Sequence, residues 1–158
     1  MNFGDHTPDD VSSFFHNGGT ISQLREHDPK QLMIMHQYAL QLLDKGDYRG
    51  ARNLFQLLVV CEHTNPEYQL GFGASHQLTG DHQSAVLFLA QAAQLLVSDP
   101  RPHWLLARSA IELKQYDDAH ELLNNAISLA GKQTQWEQLI YSAMSDLKKC
   151  DVLKGKNK

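Results

Sequence analysis

Three segments of this 158-residue chain align on one another at a constant offset of 34 residues. The offset links Ala51, Ala85 and Ala119, and it links Ala39, Gly73 and Ala107. It also links Tyr48, His82 and Tyr116, then Phe55, Leu89 and Leu123, then Leu58, Ala92 and Ala126. Within a copy the spacing is helical. Leu32, Met35, Tyr38, Ala39 and Leu42 recur at i, i+3 and i+4, Gly46-Asp47 turns the chain, and Ala51, Leu54, Phe55 and Leu58 form a second stripe. Recurring alanine or glycine at one position marks a place where two helices approach closely. A unit this small is closed by its neighbours, so the chain is constrained to a stacked array.

A 34-residue period with a small residue, a Gly-Asp-Tyr turn and then alanine is the tetratricopeptide signature. The expected fold is all-α: a solenoid of three helical hairpins with N-terminal helices and a C-terminal capping helix. The copies cover residues 32–65, 66–99 and 100–131 within a repeat region of 31–131. Pro66 and Pro100 suit the first turn of a helix, where the missing donor costs nothing. Gly80-Asp81 turns the second copy, whereas Lys114-Gln115 turns the third without a glycine. Residues 1–30 form an N-terminal segment in which Asp9 and Asp10 open a helix carrying Val11, Phe14 and Phe15. Gly18-Gly19 stops it, Thr20 caps a second short helix, and Pro29 ends that one. Residues 132–150 form the capping helix, with Trp136, Leu139, Ile140, Ala143 and Leu147 as its apolar stripe, and the Lys-rich residues 151–158 are expected to be a disordered tail.

In such a solenoid the first helix of each hairpin lines a concave groove, and positions 2, 5, 9, 12 and 13 of each copy point inward. These are Met33, His36, Leu40, Leu43 and Asp44 in the first copy. They are Glu67, Leu70, Ala74, Gln77 and Leu78 in the second, and Arg101, Trp104, Arg108, Ile111 and Glu112 in the third. Many are apolar and are not needed for packing within their own hairpin, which marks a partner site. Trp104 combines a large apolar face with one donor, and Arg108 carries a charge for polar groups of a bound peptide. The alternatives are that the N-terminal helix or a second subunit covers this surface, that Trp104 is structural, and that the arginines form a solvated face.

Other function classes find little support. A formal net charge of −4 gives no basic face for nucleic acid. The two cysteines, Cys61 and Cys150, are too few for a disulfide framework and fit a reducing compartment. No signal peptide or membrane-length apolar run is visible, so a cytoplasmic protein without membrane insertion is expected. Nine histidines form no HExxH or HxxxH pair, and Cys61 with His63 lacks a second pair, so no metal is expected. No phosphate or dinucleotide loop occurs, and Gly71-Phe72-Gly73 lies inside a helix, where it allows close contact. No cofactor and no catalysis are expected.

The segment Gly18-Gly19-Thr20-Ile21 with Leu24, ahead of three repeats, resembles the class II chaperones of bacterial type III secretion. So do Gly46-Asp47-Tyr48 with Ala51 and Phe55, and Leu70-Gly71-Phe72-Gly73-Ala74; the likeness spans roughly residues 8–150. The resemblance implies a cytoplasmic chaperone that holds hydrophobic translocator proteins and prevents premature association and aggregation before secretion. It implies that an extended segment with a Pro-x-Leu-x-x-Pro-like pattern lies on His36, Leu40, Leu43, Leu70, Ala74, Gln77, Leu78, Trp104 and Ile111, with Arg108 beside them. Family members often carry tyrosine where His36 and Leu43 stand here. The resemblance also implies a homodimer through Val11, Phe14 and Phe15. The rival reading is a generic tetratricopeptide scaffold in another bacterial assembly.

Overall fold

The computed structural model describes residues 29–156. The N-terminal expectations, including Val11, Phe14, Phe15 and the Thr20 cap, lie outside the described residues. Among the described residues the helices are α1 (Pro29–Asp44), α2 (Tyr48–Cys61), α3 (Pro66–Leu78), α4 (His82–Leu95), α5 (Pro100–Glu112), α6 (Tyr116–Ala130) and α7 (Glu137–Lys156), with a 3-10 turn at Thr134–Trp136. Each helix packs on the next, and α1, α3, α5 and α7 also touch in succession, forming one inner row.

The turns show how the sequence sets this path. At the end of α1 the Asp47 N–H reaches back to the Leu42 carbonyl at 2.9 Å and the Gly46 N–H to Leu43 at 3.0 Å. This is the Schellman closure, and it needs a left-handed residue, here Gly46 at φ +81°. Gly80 repeats it at φ +84°, with Asp81 bonded to His76. Lys114 repeats it at φ +61°, with Gln115 bonded to Ala110, so the third turn forms without glycine. Asp47 and Asp81 then cap α2 and α4 by accepting from the N–H groups of Gly50 and Ser84, whereas Gln115 caps nothing with its side chain. Between hairpins, Asn65 and Asp99 cap α3 and α5 ahead of their prolines.

The repeated positions are the core. Ala39, Ala51, Phe55, Leu58, Ala85, Leu89, Ala92, Ala107, Ala119, Leu123 and Ala126 are all completely buried. Gly73 belongs with them, because a Cβ there would lie 2.6 Å from Leu89 Cγ. The central helix α3 is enclosed on nearly every side, burying Tyr68, Leu70, Phe72 and Ser75 between its two neighbours.

The C-terminal end departs from expectation. The last helix does not stop at 150; it runs to Lys156, through residues expected to be a disordered tail. Cys150 explains this. Its side chain is completely buried and its thiol donates to the Tyr116 carbonyl at 3.3 Å, which ties the helix to the start of α6. Lys154 then pairs with Asp117, and both basic residues of the last turn favour the helix C-terminus.

Candidate peptide-binding groove

The inner row presents two kinds of position. Positions 9 and 13 face outward from the row: Leu40 is 43% exposed and Leu78 is 42% exposed, with Met33 beside Leu40 at 53%. Ala74 is half-buried between them, and Arg108 continues the line on α5 as an exposed cation. Positions 5 and 12 turn instead toward the neighbouring hairpin. Leu70 is buried in one core cluster with Leu89 and Leu106, and Ile111 is buried in another with Leu123 and Ala143. Gln77 is buried too, and its amide donates to the Leu105 carbonyl and to Ser109 Oγ, both at 2.7 Å. Leu70, Gln77 and Ile111, expected on the sequence to line the groove, are buried where successive inner helices pack on one another, and Gln77 and Ile111 still contribute to the wall of a cleft.

His36 and Leu43 are half-buried in the first hairpin. The His36 ring sits edge-on to Phe55 at 5.8 Å and to Tyr68 at 5.2 Å. Burial lowers its pKa, and the nearby Glu67 carboxylate only partly opposes this. The neutral imidazole is thus an aromatic filler in the place where tyrosine was expected in relatives. In the second hairpin His76 stacks on Phe88 at 5.4 Å and meets Phe72 edge-on at 4.6 Å, while Nδ1 lies 3.1 Å from Asp81.

Trp104 is not a free anchor. Its indole N–H donates to Asp146 Oδ2 at 3.0 Å, and the Arg108 guanidinium lies 5.2 Å from its ring centroid. One donor and one face are therefore engaged by α7 and by its own helix. Two clefts meet at this point. One, of about 250 Å³, is lined by Gln77, Leu78, His82, Arg108, Ile111, Glu112, Asp146 and Lys149. The other, of about 590 Å³, lies between α5 and α7 and is lined by Trp104, Arg108, Gln138, Tyr141, Ser142, Ser145 and Asp146. The sequence expectation of a C-terminal capping helix gives these α7 residues no place in the groove. A signal was present: one more step of 34 from Trp104, Arg108, Ile111 and Glu112 gives Gln138, Ser142, Ser145 and Asp146.

Among the described residues no cluster of histidine, cysteine and carboxylate side chains has metal-binding geometry, and no helix is long and apolar enough to cross a membrane. The groove offers shape, apolar contact and a few charges, which suits binding of a chain segment.

Known proteins align with this architecture. Residues 44–126 match the family model described as Anaphase-promoting complex, cyclosome, subunit 3. Low calcium response locus protein H of Yersinia pestis is 27% identical over 129 residues, covering 82% of this chain and 77% of the relative. The structure of SycD, the type III secretion translocator chaperone of Yersinia enterocolitica, superposes with a TM-score of 0.77 at 25% identity, covering 87% of this chain and 95% of SycD. PcrH of Pseudomonas aeruginosa, solved in complex with the chaperone binding region of PopD, also gives a TM-score of 0.77 at 25% identity, covering 83% of this chain and 98% of PcrH.

Proposed function

We propose that this chain, which belongs to the family described as Anaphase-promoting complex, cyclosome, subunit 3 and is a class II translocator chaperone of type III secretion, holds a hydrophobic translocator by laying an extended segment of it along α1, α3 and α5. The observation that carries this reading is the exposure of Met33, Leu40 and Leu78 along the inner row of the solenoid. Three large apolar side chains on one inner face gain from contact with an apolar ligand what they lose to water. The similar chaperone PcrH, solved in complex with the chaperone binding region of PopD, supports this reading.

The chaperone acts by binding, with no chemical step. A segment with prolines at each end of an apolar stretch is already restricted, so little chain entropy is lost when it settles in the groove. Affinity for such a peptide alone is on the order of micromolar. The intact client binds more tightly through further surface. The site of action is the bacterial cytoplasm, before secretion, and the chain works as a homodimer through Val11, Phe14 and Phe15.

The test is co-expression with a hydrophobic translocator, followed by co-purification. The chain keeps the client soluble, and Leu40→Glu with Leu78→Glu abolishes the complex while helical circular dichroism stays unchanged. A complex that survives both substitutions overturns the groove reading.

A further inference from the structure

α7 stands where the first helix of a fourth repeat would stand. It follows α6 as α5 follows α4, and it touches α5 as α5 touches α3. Its sequence register agrees. The 34-residue step takes the inner positions of α5 to Gln138, Ser142, Ser145 and Asp146, and these four form most of the α7 wall of the larger cleft. Burial agrees as well. Leu105 and Ser109, which α5 turns toward the preceding hairpin, correspond to Leu139 and Ala143, both buried, with Ala143 in one core cluster with Ala119 and Leu123 of α6. Tyr141 falls at the small-residue position of Ala39, Gly73 and Ala107, yet it is 77% exposed, because among the described residues no second helix follows α7 to complete its hairpin and cover that position.

The inner row thus has a fourth member, and its chemistry differs from the first two. Where α1 and α3 offer Met33, Leu40 and Leu78, α7 offers an amide, two hydroxyls and a carboxylate beside the exposed ring of Tyr141. Ser142 donates to the Gln138 carbonyl at 3.0 Å, which leaves its oxygen free to accept. Trp104, pinned by Asp146 and Arg108, forms a fixed floor beside them. The cleft is also continuous with the groove, because Arg108 and Asp146 line both it and the cleft that reaches Leu78.

We infer that the client track does not end at the third hairpin: the cleft between α5 and α7 takes the hydrophilic flank of the same client segment whose apolar part lies on Leu40 and Leu78. This rests on the groove reading above. Between the Trp104 and Tyr141 rings, the amide, hydroxyls and carboxylate of this wall offer hydrogen bonds to the amides and carbonyls of an extended, polar stretch, which the Leu40 and Leu78 surface does not. Continuity decides the occupant, since a segment lying past Leu78 on the inner face runs directly onto Arg108 and the α7 row.

The test places a photo-crosslinking benzoylphenylalanine at Leu40, at Ser142 or at the outer-face residue Leu87, one per variant. Each variant is purified as its complex with a co-expressed hydrophobic translocator, and adducts are mapped by mass spectrometry. The inference expects adducts from positions 40 and 142 on adjoining stretches of one client segment, with position 87 giving a different pattern or none. Adducts from 40 without any from 142 end the track at the third hairpin and leave the groove reading intact. Adducts from 142 to a remote client region, or to a second copy of this chain, overturn the continuity. Absence of adducts from 40 and 142 together removes the groove reading and this inference with it.

Discussion

Glu67 and Arg101, one repeat period apart on the inner row, are joined across the hairpin boundary. Arg101 donates from Nη2 to Glu67 Oε1 at 2.6 Å and from Nη1 to Oε2 at 3.2 Å. The same guanidinium holds Asp99, the cap of α5, through Nε at 2.9 Å. Hydrogen bonding to Asp99, and then to Glu67, outweighs partial burial and pushes the guanidinium further above its ordinary range. The pair is about one-third exposed, so solvent screens it and its contribution is modest. Arg101→Ala is expected to cost about 1 kcal/mol in urea unfolding, with a double-mutant coupling to Glu67→Ala of about 0.5 kcal/mol that shrinks in high salt. A coupling unchanged between low and high salt means the contact acts through packing.

The third turn is the weak one, and its repair is predictable. Lys114 sits in the left-handed region that Gly46 and Gly80 occupy freely, and Gln115 stands where Asp47 and Asp81 supply caps. A non-glycine residue in that region costs roughly 1 kcal/mol, offset in part by the greater freedom glycine gives the unfolded chain. A missing N-cap costs about 1 kcal/mol. Lys114→Gly with Gln115→Asp is therefore expected to stabilise the chain by about 1 kcal/mol, read as a higher urea midpoint with unchanged slope. No gain places the limiting stability elsewhere in the solenoid.

Gly71 and Gly73 are spacers that cannot take a methyl group. A Cβ on Gly71 would land on the buried Phe55 ring of the preceding hairpin. On Gly73 it would lie 2.6 Å from Leu89 Cγ and 3.0 Å from the Leu89 backbone nitrogen. Alanine gains about 1 kcal/mol of helix propensity, and the overpacking costs typically 1–3 kcal/mol. Because Phe55 is completely buried and the Leu89 nitrogen belongs to the backbone, neither neighbour yields cheaply. Gly71→Ala and Gly73→Ala are each expected to lose about 1 kcal/mol net in thermal or urea unfolding; a gain in either shows that the hairpins slide apart without penalty.

What the sequence made legible was the packing inside a hairpin. A residue such as Ala51 meets the same neighbours as Ala85 and Ala119, so the repeat encodes its burial directly. Packing between hairpins was not legible in the same way. Leu70 and Leu78 are both inward by repeat position, yet the adjoining inner helix covers one and leaves the other bare. Trp104 and Asp146 meet across 42 residues, a separation that no periodicity announces. The fourth inner helix was hidden because Tyr141 replaces the small residue, and the Gly-Asp turn that closes the inner helices of the first two copies is missing after it. With no following outer helix to pack against, nothing requires either feature.

Stability is expected to depend on pH through two histidines. Burial lowers the pKa of His103, and it lowers that of His36 against the opposing pull of Glu67. A histidine that prefers to be neutral in the native state binds fewer protons there than in the unfolded chain. Its contribution is therefore intact above the unfolded value of about 6.5, declines as pH falls below it, and levels off below the native value. Asp81 acts in a different window. The Ser84 hydroxyl and N–H, and then His76, hold its carboxylate below the ordinary range, so its cap is present above pH 3.8 and is lost on further acidification. Urea unfolding from pH 8 to pH 4.5 is expected to show a flat region above about 6.5 and a decline beneath it. His36→Phe fills the slot beside Phe55 and Tyr68 without a titrating group and is expected to make that decline shallower. An equal decline in the variant and the parent chain assigns the effect to His103 or to other groups and removes His36 from the account.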